Sequence, residues 1–238
     1  MNGLEKNGDQ SLRRGLISWA VKGVLYKAYV GAVLMLSAGR WNWGAGWLYV
    51  FIFLAFDAAT ALVVMPRFPE LLIERSRSNP NVKAWDKVIM PLAAGIVPLI
   101  GWILAGLNKR WGWDPLVSPG VQLVGFLITL IGHGLIVWAM GANAYFSPVV
   151  CIQEERGHRV ADGGPYKIIR HPGYLGAILF TLGIPLLLES WWALIPGVIS
   201  VVLYCIRTSL EDQTLVKELP GYAEYAGRVK FKILPGVW

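Results

Sequence analysis

The residues best equipped for chemistry lie in one run, Gly163-Gly164-Pro165-Tyr166-Lys167-Ile168-Ile169-Arg170-His171-Pro172-Gly173-Tyr174. It is the densest concentration of polar, turn-forming and aromatic residues in a mostly apolar chain, and an apolar segment opens straight after it at Leu175. A guanidinium and a proton-active imidazole, Arg170 and His171, therefore stand at a membrane–water boundary just before a helix start. Pro172 suits the first helical position, where its missing N–H needs no partner. His171 then falls at or beside the N-cap, where free backbone N–H groups and the positive end of the helix dipole favour an anion. The run reads as one wall of a site for a small anionic or zwitterionic molecule.

A second polar group closes the last long apolar segment: Arg207, Glu211 and Asp212. Arg207 and Glu211 are four residues apart and share a helical face. They form either a plain intrahelical ion pair or a second wall. If the two C-terminal apolar segments make a hairpin, its ends meet and His171 becomes a neighbour of Glu211. Cys151 lies nearby without a base at motif spacing, so it reads as a small, half-buried residue, and Tyr222 and Tyr225 read as tail packing.

The elements that position these walls are membrane helices. The chain has 238 residues, 55% of them hydrophobic, and a mean hydropathy of +0.49, too apolar for an ordinary soluble domain. The net charge of +7 comes from basic residues clustered at the ends of apolar runs, which points to membrane topology and away from nucleic acid. The two cysteines, Cys151 and Cys205, have neither metal-ligand nor redox spacing, so no metal is expected. Trp41, Trp43, Trp47, Trp111, Trp113, Trp191 and Trp192 gather near segment ends as interfacial belts.

The expected architecture is an all-α, polytopic bundle of about six spans: 16–38, 47–65, 88–107, 121–140, 172–188 and 191–210. Residues 1–140 supply the first four, and 141–238 supply the small-molecule-binding region, with a helical hairpin around Glu189-Ser190 and a cytoplasmic pocket. The span 172–188 measures about 26 Å at 1.5 Å per residue, short of a hydrocarbon core of about 30 Å. Residues 1–14 read as a polar, disordered tail. Its Ser11-Leu12-Arg13-Arg14 faintly resembles a twin-arginine export signal but reads better as a cytoplasmic anchor. Lys22 and Lys27 are expected to snorkel from the first span. A short helix is expected at 70–76 and a polar tail over 211–238. Asp57 and His133, inside spans, are expected to make interhelical hydrogen bonds. This layout puts 18 Lys and Arg on one side and 3 on the other, with both termini cytoplasmic in an inner membrane.

Gly164-Pro165-Tyr166, Arg170-His171-Pro172-x-Tyr174, Glu211-Asp212, Gly221-Tyr222-x-x-Tyr225 and Arg228-Val229 together resemble the isoprenylcysteine carboxyl methyltransferase family. Its relatives include bacterial membrane methyltransferases and phospholipid methyltransferases. The resemblance covers about 143–235. It implies methyl transfer from S-adenosylmethionine (AdoMet) to a lipophilic small molecule or lipid at the cytoplasmic face. It further implies cofactor contacts at Gln153, His158, Arg159, Val160, Ala161, Tyr166, His171, Pro172, Gly173, Tyr174 and Glu211, and a substrate-anchoring Arg207. The acidic pair here is Glu-Asp where the family has Glu-Glu, which leaves Asp212 without an assigned role. Two other readings stay open: a sterol-reductase-type membrane reductase using NADPH, and a non-catalytic membrane scaffold.

Overall fold

The computed structural model describes residues 3–75 and 81–238, with side chains from residue 10 onward except Ser11. Nine α-helices and no strand occur among the described residues: α1 Gly3–Ala38, α2 Gly44–Val64, α3 Pro69–Glu74, α4 Asp86–Pro91, α5 Val97–Trp111, α6 Pro119–Gly141, α7 Pro172–Leu187, α8 Leu194–Glu218 and α9 Tyr222–Arg228. A π-helical turn, Leu92–Ile96, joins α4 to α5 directly after Pro91. The proline removes one backbone donor, and the wider turn absorbs the fault without ending the span. Among the described residues five helices are long and apolar enough to cross a membrane: Leu12–Ala38, Gly44–Val64, Asp86–Trp111, Pro119–Gly141 and Leu194–Glu218. The sixth expected span, α7, is helical but has only 16 residues.

Several expectations need correction. Residues 3–14 are helical, continuous with α1, because Leu, Glu, Lys, Gln and Arg there extend a helix readily. Lys27 does not snorkel. It is buried and its Nζ donates to Asp57 of α2 at 2.5 Å, since a cation deep in a bundle is satisfied best by a carboxylate on a facing helix. Among the described residues His133 makes no hydrogen bond to another helix. Its Nδ1 meets the Thr129 carbonyl one turn back at 3.0 Å, and the ring packs among Phe53, Phe56 and Phe180. The tail begins later than expected, because α8 runs on to Glu218. The described short helix ends at Glu74; Ser76 and Arg77 lie outside the described residues. Six of the seven belt tryptophans have exposed rings, but Trp43 is in the core at 1% exposure.

The tightest contact is between α6 and α7. A Cβ on Gly132 would lie 2.6 Å from the Gly176 carbonyl oxygen, and one on Gly176 would lie 2.6 Å from the Gly132 carbonyl oxygen. Gly125 and Gly183 repeat the contact seven residues away on each helix. Positions thus fall on one helix as they rise on the other, so the pair is antiparallel and its backbones touch, as small residues allow within membranes. At the far end of the bundle, Lys109 and Gln122 donate to the Glu189 carboxylate, and Ser190 Oγ donates to Asp114. This fixes the turn between α7 and α8.

Gly132→Ala should therefore push α6 from α7 and cost about 1–3 kcal/mol. Gly134→Ala, on the same helix with nothing within 4 Å of its Cβ, should be neutral or stabilising by up to about 1 kcal/mol from helix propensity. Thermal unfolding in detergent, read side by side for the two variants, checks the difference.

Candidate active site

At the other end of the bundle a cavity of about 290 Å³ opens among α2, α7, the end of α8, the loop 142–171 and α9. This lies near the lower end of ligand-pocket volumes. Ten of the twelve expected site residues line it: His158, Arg159, Val160, Ala161, Tyr166, His171, Gly173, Tyr174, Arg207 and Glu211. Two do not. Gln153 is buried behind the wall, where its Nε2 donates to the Tyr145 carbonyl at 2.9 Å and its Oε1 accepts from Arg156 at 2.5 Å. Pro172 is buried as the first residue of α7.

His171 does occupy the N-cap position of α7, but its side chain makes no capping hydrogen bond. The ring turns to Asp212, and the expected neighbour Glu211 is engaged elsewhere. His171 Nε2 lies 3.1 Å from Asp212 Oδ1; a carboxylate only accepts, so this nitrogen carries the proton. The same carboxylate takes both arms of Arg170, Nε at 2.8 Å and Nη2 at 2.9 Å, and the Tyr222 hydroxyl at 3.0 Å. Arg170 is thus structural: its Nη1 also donates to the Val229 and Lys230 carbonyls at 2.9 Å. Glu211 accepts from the Tyr174 hydroxyl at 2.5 Å.

Arg207 lies on the cavity wall without pairing with Glu211. Its Nε and Nη2 make a fork on Asp86 at 2.6 and 2.9 Å, and Nη2 also donates to the Pro148 carbonyl at 2.8 Å. The guanidinium stacks 5.4 Å from the centre of the Tyr174 ring. Asp86, fully buried and also holding the Val150 N–H at 2.7 Å, was not singled out by the sequence. Its one signal is a carboxylate at the mouth of an apolar segment. Asp212 was noticed but given no role.

The remaining wall is aromatic and apolar. Tyr225 donates to the Tyr166 carbonyl at 2.7 Å, Asn143 donates to the Tyr166 hydroxyl at 3.2 Å, and Tyr222 meets Tyr225 edge-on at 5.4 Å. Burial raises the Tyr166 phenol above its ordinary range, so it stays protonated. Burial likewise raises the Cys151 thiol, which argues against a thiolate nucleophile. His158 packs on Tyr145 and its Nδ1 accepts the Gln153 N–H at 3.3 Å. Burial first, and the Arg156 cation second, lower its pKa to about 4. Among the described residues no group of three His, Cys, Asp or Glu side chains could hold a metal ion.

A polytopic helical membrane protein with a polar cavity at one end of its bundle is the class these features define. Residues 121–220 match the profile of the phospholipid methyltransferase family. The chain is also similar to the uncharacterized protein YpbQ of Bacillus subtilis (strain 168), 25% identical over 149 residues, 62% of this chain and 67% of that protein. Protein-S-isoprenylcysteine O-methyltransferase B of Arabidopsis thaliana is 26% identical over 127 residues, 52% of this chain and 60% of the plant protein. The probable protein-S-isoprenylcysteine O-methyltransferase of Oryza sativa subsp. indica is 25% identical over 112 residues, 46% and 59% of the two chains. The chain thus spans about three-fifths of the plant relatives it matches. The expected resemblance to membrane methyltransferases stands, and the matched stretch contains the cavity-forming ends of α7 and α8.

His158 gives a pH test. Its pKa is lower folded than unfolded, so the unfolded chain binds its proton first on acidification. The neutral ring's contribution is whole above about pH 6.5 and is lost as pH falls toward about 4. His158→Gln should flatten the fall in thermal midpoint over that window relative to the parent, compared in one buffer series.

Proposed function

We propose that this protein is an integral membrane methyltransferase that uses AdoMet to methylate a lipophilic acceptor at the cytoplasmic face. The observation that carries the reading is the convergence of ten motif residues, drawn from the loop 158–161, the turn at 166, the start of α7 and the end of α8, on one cavity. The donor set suits AdoMet, which has a carboxylate, an ammonium, ribose hydroxyls and an adenine ring. In the first turn of α7 the Gly173 N–H is the donor left for the carboxylate, since Pro172 has no N–H and those of Tyr174 and Leu175 donate to the His171 carbonyl. Glu211 suits the ammonium or the ribose. Val160, Ala161, Leu215 and the tyrosines of α9 make an apolar wall for the ring. Gln153 acts from behind by holding the 153–158 turn through Tyr145 and Arg156.

When bound, AdoMet supplies an electrophilic methyl group and leaves as S-adenosylhomocysteine. The chain's own part is to hold, orient and keep out water. The groups nearest the reaction are already engaged: Tyr174 on Glu211, His171 on Asp212 and Arg207 on Asp86. Fixed partners of this kind lower the barrier by positioning and by exclusion of water. Arg207 stands on the acceptor side as a fixed positive charge that braces Tyr174. An apolar groove of about 660 Å³ between α2 and α6 shares Phe56 with the cavity and offers a lipophilic tail a sideways route from the bilayer.

Two tests follow from this reading. His171→Ala and Glu211→Ala should each weaken S-adenosylhomocysteine binding by about 1–3 kcal/mol, as when a charged group loses its partner. Calorimetry measures this; affinity like the parent's would remove the pocket assignment, and binding of NADPH alone would favour a reductase. For orientation, reporters at Gly157 and after Trp238 should read cytoplasmic, and one at Gly112 external. A cytoplasmic signal at Gly112 would invert the access route.

A further inference from the structure

We infer that Arg75, a residue with no assigned role, is the anchor for the anionic head of the acceptor. This deepens the methyltransferase reading and rests on it. Arg75 follows α3 directly and lines the same cavity as His171, Tyr174 and Glu211. Its Nη1 is out of solvent and has no hydrogen-bond partner among the described residues. A buried cationic donor left unsatisfied is costly, and native structures rarely keep one without a use. Of the other cations near the cavity, Arg159 is an exposed rim residue, and the buried ones are already engaged by carboxylates. Arg207 has its fork on Asp86, Arg170 has its fork on Asp212, and Lys27 sits on Asp57. Arg75 therefore offers the free donor edge to a new anion.

Its placement is built in. The guanidinium carbon lies 5.5 Å from the centre of the Phe146 ring, which supports it from one side. That ring occupies the space where a Cβ on Gly173 would be, 2.6 Å from Phe146 Cε2. The glycine of the His-Pro-Gly-Tyr turn thereby lets in the aromatic shelf on which Arg75 rests. Burial lowers the Arg75 pKa to about 10, which leaves it cationic at neutral pH. Phe56 lines both this cavity and the apolar groove, so an amphiphile with its head at Arg75 can run its tail past Phe56. A guanidinium binds carboxylate and phosphate alike, as a fork. The shared chemistry is an anionic head on an apolar tail.

The experiment measures binding to full-length protein in detergent, saturated with S-adenosylhomocysteine, by intrinsic tryptophan fluorescence. The probes are two matched pairs: N-acetyl-S-farnesylcysteine with its neutral amide, and lysophosphatidate with neutral monoacylglycerol. The parent should prefer the anion in at least one pair by about tenfold or more, the worth of a charged hydrogen bond. Preference within the first pair assigns a prenylcysteine-type carboxylate, and within the second a lipid phosphate. Arg75→Gln should bring that preference to within about twofold while S-adenosylhomocysteine affinity holds. If Arg75→Gln no longer binds S-adenosylhomocysteine, Arg75→Lys decides: a reduced anion preference supports the anchor, and an unchanged one overturns it. A parent that prefers neither anion, or binds no probe, also overturns it, as does an undiminished preference in Arg75→Gln. Failure of the parent to bind S-adenosylhomocysteine at all would instead sink the methyltransferase reading.

Discussion

One carboxylate holds the cavity in shape. Asp212 receives the fork of Arg170, the ring of His171 and the hydroxyl of Tyr222, and Lys232 lies 3.5 Å away. Those partners come from the start of α7, from α9 and from the C-terminal segment, so a single side chain gathers three pieces of chain around the end of α8. The backbone finishes the seam, since the N–H groups of Arg170 and His171 donate to the carbonyls of Phe231 and Lys232. A buried ion pair adds little net stability against its desolvation cost, but removing one partner strands the other and costs about 3–5 kcal/mol. Its effect is thus on geometry: other arrangements of these segments leave Arg170 or Asp212 buried alone.

A second clamp works beside the first. Arg207 and Asp212 are five residues apart, about 140° round the helix, and each makes a fork with an opposite charge on a different wall. Arg207 ties α8 to Asp86, which also holds Val150; Asp212 ties it to the start of α7 and the tail. Glu211 lies between them, bonded to Tyr174. With both neighbours held by fixed ions, it presents its carboxyl group to the cavity wall.

What the sequence made legible follows from what periodicity and turn chemistry encode. Six apolar segments stood out, because lipid admits only runs of that kind. The Arg-His-Pro-x-Tyr turn stood out as polar chemistry meeting a helix start, and its meeting with Glu211's helix followed from the hairpin. Partners across long separations were not legible. A helical period tells which residues share a face but not which distant charge the face meets. An ion pair with Glu211, four residues away, was therefore one of the two readings of Arg207, when its partner Asp86 lies 121 residues away. For the same reason Lys27 was sent toward the surface when Asp57 satisfies it on the neighbouring helix. Gln153 was placed on the wall because a motif fixes proximity along the chain and not the direction of a side chain.

The shortness of α7 joins these observations. Gly132 faces Gly176 and Gly125 faces Gly183, so by the same antiparallel register the start of α7 at Pro172 comes level with position 136 of α6. That helix continues to Gly141, five residues or about 7 Å further. The His-Pro-Gly-Tyr turn is therefore recessed below the end of its neighbour. The recess is roofed by the loop 142–171 and by α9, and its wall toward α2 carries Phe56. A full-length α7 would lift His171 and Tyr174 into bulk water and lose the desolvation on which their hydrogen bonds depend. The close glycine contacts fix how far α7 sits along α6. A packing feature deep in the bundle thereby sets the depth, and so the dryness, of the polar site at its end.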